Sequence, residues 1–427
     1  MVKINDIFTV QIEDTNIFAN GICHIDGMVV FVEKALVGEE CKIQITDVCQ
    51  KFAYAKKIDL KVSSKNRTTP QCPVFNECGG CGFLHCDINT ENYIKENYIR
   101  SIFKKNGIDV KIEKIATPVC EKYRNKVVLF VENGKYGYMA SGTNKLVEHE
   151  KCILNDDAFD EIARYTVEFF NDSTLRAIYL RKSYKNNEIM VCPIFSKETD
   201  VIKYATALIS QFKNVKAVLY SVCKDRDFVL EKVKFKTIYG DGYIYDELYE
   251  LKFRISPSSF YQVNPACAEL LYQKAIELAN LEKENICADL FCGTGTIGII
   301  CAKKTGATVY GVEINENAVK DAKFNAKLNN VVNISFEATD AKNFKKAADV
   351  AIIDPPRKGC SPLMLETLMN LKPKRIVYVS CNAETLARDL KTLLNNYSIS
   401  SPVYPFNMFP RTNHVETLVC LTRKWAK

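Results

Sequence analysis

The sequence predicts an α/β protein: a doubly wound parallel sheet in the carboxyl-terminal part, preceded by a small antiparallel barrel and a central α+β segment. Three observations carry this. Two apolar runs, Asp349-Val-Ala-Ile-Ile-Asp354 and Ile376-Val-Tyr-Val-Ser-Cys381, stop abruptly at polar residues, as buried strands do where an open sheet builds its ligand crevice. A strand, a glycine turn, a helix and a second strand follow one another from Ile286 to Glu313. Residues 1–60 alternate apolar and polar positions in short runs punctuated by glycine, the mark of a small barrel.

At 427 residues the chain is too long for one ordinary domain, and composition changes divide it into 1–60, 61–252 and 253–427. Hydrophobic and charged fractions of 47% and 26% are those of a soluble globular protein. No apolar run reaches spanning length, and the first residues lack the basic and apolar regions of a signal peptide. A cytoplasmic protein with no membrane partner is therefore expected, and a monomer is expected besides. Eighteen cysteines in such a protein read as reduced thiols, metal ligands or a nucleophile. The net charge of +7 is uneven: −3 over 1–60, +4 over 61–150, 0 over 151–252 and +6 over 253–427. A basic excess in the second and last segments permits a polyanionic partner such as RNA.

In the first segment the strand-like runs are Phe8–Ile12, Met28–Val32 and Cys41–Ile45, with glycines at 21, 27 and 38. The barrel suits the OB type, which commonly binds nucleic acid, and its pattern resembles a TRAM domain. Because this segment is acidic overall, RNA contact would rest on a local patch of Lys51, Phe52, Tyr54, Lys56 and Lys57. Next comes Cys72-Pro-Val-Phe-Asn-Glu-Cys78-Gly-Gly-Cys81-Gly-Phe-Leu-His-Cys86. Three close cysteines, with glycines that let the backbone fold tightly, suit an iron-sulfur cluster better than zinc, which usually takes two separate pairs. The fourth ligand is Cys86 or a distant residue such as Cys152, and His85 reads as a capping or surface histidine. Apolar positions at helical spacing from Tyr93 to Phe103, ended by Gly107, predict a helix over 88–106. Strands are expected at Val127–Val131, Ala177–Arg181, Ile189–Val191 and Ala217–Tyr220, with a hairpin turn at Gly134–Gly137.

The third segment opens with Ser256-Pro-Ser-Ser-Phe-Tyr-Gln262-Val-Asn264-Pro265, where Asn264 caps a helix that Pro265 starts. In Asp289-Leu-Phe291-Cys-Gly293-Thr-Gly295-Thr296-Ile-Gly298, glycines would bring the backbone against a nucleoside. An acid twenty residues beyond Gly293, Glu313, would bind ribose hydroxyls. A dinucleotide fold shares these features. Asp289 ahead of the glycines and Thr339-Asp340-Ala341 after the next strand instead make the arrangement look like a class I (Rossmann-like) S-adenosylmethionine methyltransferase.

With these stretches in hand, the whole chain resembles the RumA/TrmA family of RNA (uracil-5-)-methyltransferases, in the branch with a TRAM domain and a 4Fe-4S cluster. The matching stretches are the cysteine segment, Ser258–Asn264, the nucleoside site, Asp354-Pro-Pro-Arg-Lys-Gly359, Ser380-Cys381-Asn382 and Phe409-Pro-Arg-Thr-Asn-His414-Val-Glu416. The resemblance implies cluster ligands at Cys72, Cys78, Cys81 and Cys152. It implies contacts to S-adenosylmethionine from Gln262, Phe291, Thr296, Glu313, Asp340 and Asp354, a nucleophile at Cys381 and a base at Glu416. Asn407, Leu84 and Thr296 depart from the family's usual residues. The implied substrate is 23S rRNA, with tRNA as the alternative; an RNA-binding iron-sulfur structural protein is the competing class. Amino-methylation on a similar fold would need no Cys381. Carbon 5 of uracil is too weak a nucleophile to take a methyl group until a thiolate adds at carbon 6, and a base must then remove the carbon 5 proton.

Overall fold

The computed structural model describes residues 2–224 and 233–424. Met1 and 425–427, the outermost residues of the first and third predicted segments, lie outside the described residues. Strands β1 (Ile7–Gln11), β2 (Asp14–Thr15), β3 (Gly21–Ile25), β4 (Met28–Val32), β5 (Glu40–Val48) and β6 (Phe52–Val62) form one sheet in the order β1-β5-β6-β4-β3-β2. Period-two alternation sets its faces. Val30, Val32, Ile43, Ile45, Ala53 and Ala55 fill the interior, while Tyr54 and Lys56 stand outside.

Helix α1 (Ile88–Lys105) starts where the Asp87 side chain accepts from the Thr90 N–H, and it is followed by Gly107 at φ +71°. A seven-stranded sheet follows, built from β7 (Lys126–Glu132), β8 (Lys135–Met139), β9 (Leu146–Glu148), β10 (Leu175–Lys182), β11 (Ile189–Phe195), β12 (Val215–Val222) and β13 (Lys236–Tyr239). Its order is β13-β12-β11-β10-β7-β8-β9. Helices α2 (Asp157–Phe170) and α3 (Ile202–Gln211) cover one face. The β7–β8 turn is Asn133-Gly134, both at positive φ, one residue earlier than the predicted start. Gly137 is already in β8, where a Cβ would stand 1.9 Å from the Val147 carbonyl oxygen of β9.

A hairpin, β14 (Ile244–Leu248) and β15 (Leu251–Ile255), leads to α4 (Pro265–Ala279), which starts at the Asn264 cap as expected. The doubly wound layer then runs β16 (Ile286–Leu290), α5 (Thr296–Thr305), β17 (Thr308–Glu313), α6 (Glu316–Leu328), β18 (Ile334–Ala338), β19 (Val350–Ile353), α7 (Pro362–Leu371), β20 (Arg375–Ser380) and α8 (Ala383–Leu393). It ends in β21 (Tyr397–Ile399), β22 (Tyr404–Phe406) and β23 (Glu416–Arg423). The order is β18-β17-β16-β19-β20-β23-β21, with β22 also on β23. Pairings from β18 to β20 are parallel, whereas β23 is antiparallel to β20. Ile352, Val377 and Val379 on one face share a core with the free face of the central sheet, including Ala177, Met190 and Cys192. On the other face Ala351, Ile353 and Tyr378 pack with α7, α8 and, from α1, Ile99 and Phe103. Helix α1 therefore packs on the doubly wound layer rather than on the central sheet that follows it in the chain. Among the described residues no helix is long and apolar enough to cross a membrane.

Candidate active site

Strand order reverses at β16, which lies between β17 and β19, so a crevice opens at the carboxyl ends of these strands. Phe291, directly after β16, takes φ +67°, followed by Gly293 at +54° and Gly295 at +79°. A Cβ on Gly293 would meet no atom within 4 Å, so that backbone faces open space. A Cβ on Gly298 would stand 2.6 Å from Asp289 Oδ2, which accepts the Gly298 N–H at 2.9 Å and ties α5 to β16. Burial, followed by the Asp354 and Glu313 charges, raises the Asp289 carboxyl to about 7 despite that hydrogen bond. Thr296 begins α5 and is buried. Glu313, at the end of β17, accepts the Gly293 N–H at 3.2 Å and the Asn315 N–H at 2.8 Å. Asp340 caps a short 3₁₀ turn after β18 and pairs with Lys342 at 3.0 Å, which holds its carboxyl below the usual range.

The 256–264 loop is held by the central sheet. Arg181, fully buried on β10, donates to the Ser259 carbonyl at 2.7 Å, and Asn125 donates to the Gln262 carbonyl at 2.9 Å. Gln262 itself is buried, beside the Tyr272 hydroxyl.

Cys381 is the first residue after β20, and Glu416 is the first of β23. Because Ser380 pairs with Thr417 in the antiparallel ladder, Cys381 and Glu416 oppose one another one step further on, a spacing of about 4.5–5.5 Å between α-carbons in regular ladders. Glu416 is 5% exposed. Burial, followed by the Asp354 charge, raises its carboxyl to about 8, with Arg357 pulling the other way. Burial alone raises Asp354, at the end of β19, to about 7. The partly exposed Cys381 thiol is pushed up to about 12 by burial, then Glu416, then Asp354, against Arg357. The Asp354 charge thus adds to the proton affinity of both Glu416 and Cys381. His414, which pattern reading noted only as a neighbour of Glu416, lies 3.1 Å from Arg357 Nη2. Burial and then Arg357 lower His414 to about 4, so it is a neutral ring able to accept from the guanidinium.

Cys72, Cys78, Cys81 and Cys152 line one small cavity, with Phe75, Arg124, Tyr138 and His149. Cys86 does not join them; its thiol points to the Phe83 carbonyl inside an apolar cluster. Among the described residues no group of three or more His, Cys, Asp or Glu side chains is set to hold a metal ion. His85 departs from the expected surface or capping role. It is 1% exposed, stacks on Phe75 at 5.8 Å, and is lowered to about 3 by burial. Neither of its ring nitrogens has a hydrogen-bond partner. A cleft of about 780 Å³ runs from the barrel residues Phe18, Phe31, Lys34 and Tyr54 past the cysteine loop and Arg124 to Phe409 and His414. Of the patch expected to meet RNA, Tyr54 faces this cleft, whereas the Lys57 ammonium donates internally to the Lys34 carbonyl at 3.1 Å.

Residues 2–58 match the TRAM domain family, and residues 281–405 match the family described as Methyltransferase domain. An uncharacterized RNA methyltransferase of Oceanobacillus iheyensis is 34% identical over 99% of this chain and 98% of its own length. One of Bacillus cereus is 35% identical over the same shares. The crystal structure of Pyrococcus abyssi tRNA (uracil-54, C5)-methyltransferase in complex with S-adenosyl-L-homocysteine superposes with a TM-score of 0.80 at 27% identity. The match covers 97% of this chain and 99% of that one. From end to end, then, the chain belongs to the RumA/TrmA family of RNA methyltransferases.

Proposed function

We propose that this protein methylates carbon 5 of a uridine in RNA through a transient covalent bond to Cys381, with Glu416 as the base. The observation that carries the reading is the facing of Cys381 and Glu416 at the end of the β20–β23 ladder, beside Asp354. S-adenosylmethionine would supply the methyl group as an electrophilic sulfonium. It suits the crevice: Gly293 offers open backbone, and Glu313 ends the next strand where ribose hydroxyls would lie. Phe291, Asp340 and Asp354 follow the ends of β16, β18 and β19, Thr296 begins α5 and Gln262 lies in the 256–264 loop; these are the remaining proposed contacts. The sulfur of Cys381, its proton lost to solvent, adds to carbon 6, and the electron pair moves onto the carbon 4 carbonyl oxygen. Carbon 5 then takes the methyl group. Glu416 removes the carbon 5 proton, the carbon 5–carbon 6 double bond re-forms, and Cys381 leaves as thiolate. A stacked, paired base cannot present carbon 6 to a thiol, so the uridine must be looped or flipped out. The cleft from Phe18 and Tyr54 to His414 is the proposed path of the flanking strand, its aromatic rings offering stacking faces.

Two RNAs compete as substrate: 23S rRNA, implied by the resemblance, and tRNA, favoured by the likeness to the Pyrococcus abyssi enzyme. Mapping 5-methyluridine in both RNAs from a strain lacking the gene decides between them. Loss from neither would refute the proposed activity.

We also propose that Cys72, Cys78, Cys81 and Cys152 hold a 4Fe-4S cluster. Support comes from their shared cavity and from Arg124, whose guanidinium is in electrostatic contact with Cys81 and Cys152 and would offset thiolate charge. Anaerobically purified protein is expected to be brown, with about four iron and four sulfide per chain. Colourless protein with stoichiometric zinc would overturn this.

Glu313→Ala is expected to weaken S-adenosylmethionine binding by about 1.5–3 kcal/mol, the scale of charge-assisted hydrogen bonds. Unchanged affinity by calorimetry would remove Glu313 from the site.

The raised carboxyls of Asp354 and Glu416, at about 7 and 8, set a pH dependence. Both groups favour the neutral form in the folded protein, so their stabilising effect is complete below the unfolded carboxylate range and is lost as pH rises through 7 to 8. A bound sulfonium cation favours the ionised carboxylates. Binding should therefore release protons near pH 7 and tighten with rising pH. Calorimetry in two buffers of different ionisation enthalpy measures the release. S-adenosylhomocysteine, whose sulfur is neutral, should show less of it, and equal release from both ligands would contradict the account.

A further inference from the structure

Glu416 and the residue paired with it, Phe406, close the β22–β23 hairpin, whose loop runs through 407–415 and carries His414. A hairpin loop this long does not fix its own shape. Several polar groups in its first half are instead held from outside, four of them by two fully buried residues one turn apart on α1. Lys95 Nζ donates to Glu91 Oε1 at 2.7 Å, to Asn407 Oδ1 at 2.7 Å and to the Phe409 carbonyl at 3.4 Å. That uses all three of its protons. Glu91 accepts in turn from Asn407 Nδ2 at 2.9 Å and from the Arg411 N–H at 3.0 and 3.1 Å. Arg411 sits at φ +67°, a conformation a side-chain-bearing residue holds only when its surroundings impose it. Its carbonyl accepts from the Gly82 N–H at 2.7 Å, one residue after Cys81, and the Tyr123 hydroxyl donates to the Pro410 carbonyl at 3.0 Å.

A buried ion pair is costly to form and is weak evidence for stability by itself. Here both members spend their remaining hydrogen-bonding capacity on the hairpin that presents the catalytic carboxylate. We infer that Glu91, Lys95 and Asn407 are positioning residues that set Glu416 against carbon 5 of the bound uracil. The inference rests on the proposed role of Glu416 as base, which none of the three contacts directly.

The test uses the full chain and unmodified target RNA. In the double variant Glu91→Gln/Lys95→Met the pair becomes a neutral one of similar shape, which proteins often tolerate in stability. Asn407→Ala keeps the ion pair and its bonds to Phe409 and Arg411 and removes only the bonds made through the Asn407 side chain, so it serves if the double variant fails to fold. Both are expected to transfer methyl in a single turnover within about threefold of wild type, yet to release product about 10- to 100-fold more slowly, the cost of a displaced catalytic group. Protein-RNA adduct should accumulate on a denaturing gel, with KM for both substrates little changed. A merely structural role would slow transfer and release together, and that outcome, or wild-type turnover, overturns the inference. Glu416→Gln run alongside separates the two levels. If it accumulates adduct and the positioning variants do not, only the positioning role falls; if it does not, the base assignment falls with it.

Discussion

Cys381→Ala is expected to abolish methylation, by roughly 10⁴-fold or more, the scale seen when a covalent nucleophile is removed. Binding of RNA and S-adenosylmethionine should survive. The thiol lies at the strand end rather than in the core, so its removal leaves no large cavity, and the Ser380–Thr417 pairing that shapes the site is untouched. RNA with 5-fluorouracil at the target should trap the wild-type protein covalently, because fluorine replaces the proton the base must take, and Cys381→Ala should form no such adduct. Residual methylation near the wild-type rate would return the chain to amino-methylation, which needs no thiol.

Glu416→Gln is expected to slow product release by about 10²–10⁴-fold, the usual contribution of a general base. Addition and methyl transfer should continue. Natural uracil would then accumulate as an adduct visible on a denaturing gel. Glutamine keeps the shape of the buried side chain and removes a carboxyl that burial already holds near neutrality, at about 8. Folding is thus spared and the two steps are separable. Normal turnover by this variant would refute the covalent scheme at its second step.

Much of this site is legible in the chain because strands that end in polar residues announce where a crevice lies. Asp354 and Cys381 directly follow strands and Glu313 ends one, as that rule predicts, and spacing marks the glycine turn. What pattern could not give is what distant pairing decides. The antiparallel register that sets Glu416 opposite Cys381 leaves no trace in an apolar run near the carboxyl terminus. Periodicity also misjudged α1: Tyr93, counted with its apolar face, is 58% exposed, while Lys95 is fully buried. An ion pair satisfied from across the fold looks, in sequence, like a solvated helix face. His85 misled similarly, since nothing local distinguishes a buried imidazole from a capping one.

The link from Lys95 to Asn407 spans 312 positions, and that separation bears on how the enzyme comes into being. Contacts so remote in the chain are slow to find, because a very long loop must close before they reward it. On the ribosome, at about 5–20 residues per second, α1 and β20 emerge before β23. Until then Lys95 and Glu91 lack the partners that Asn407, Phe409 and Arg411 provide, and Cys381 lacks the residue proposed as its base. On the proposed mechanism a chain without β23 has its thiol but no base, so turnover waits for that strand to join the sheet.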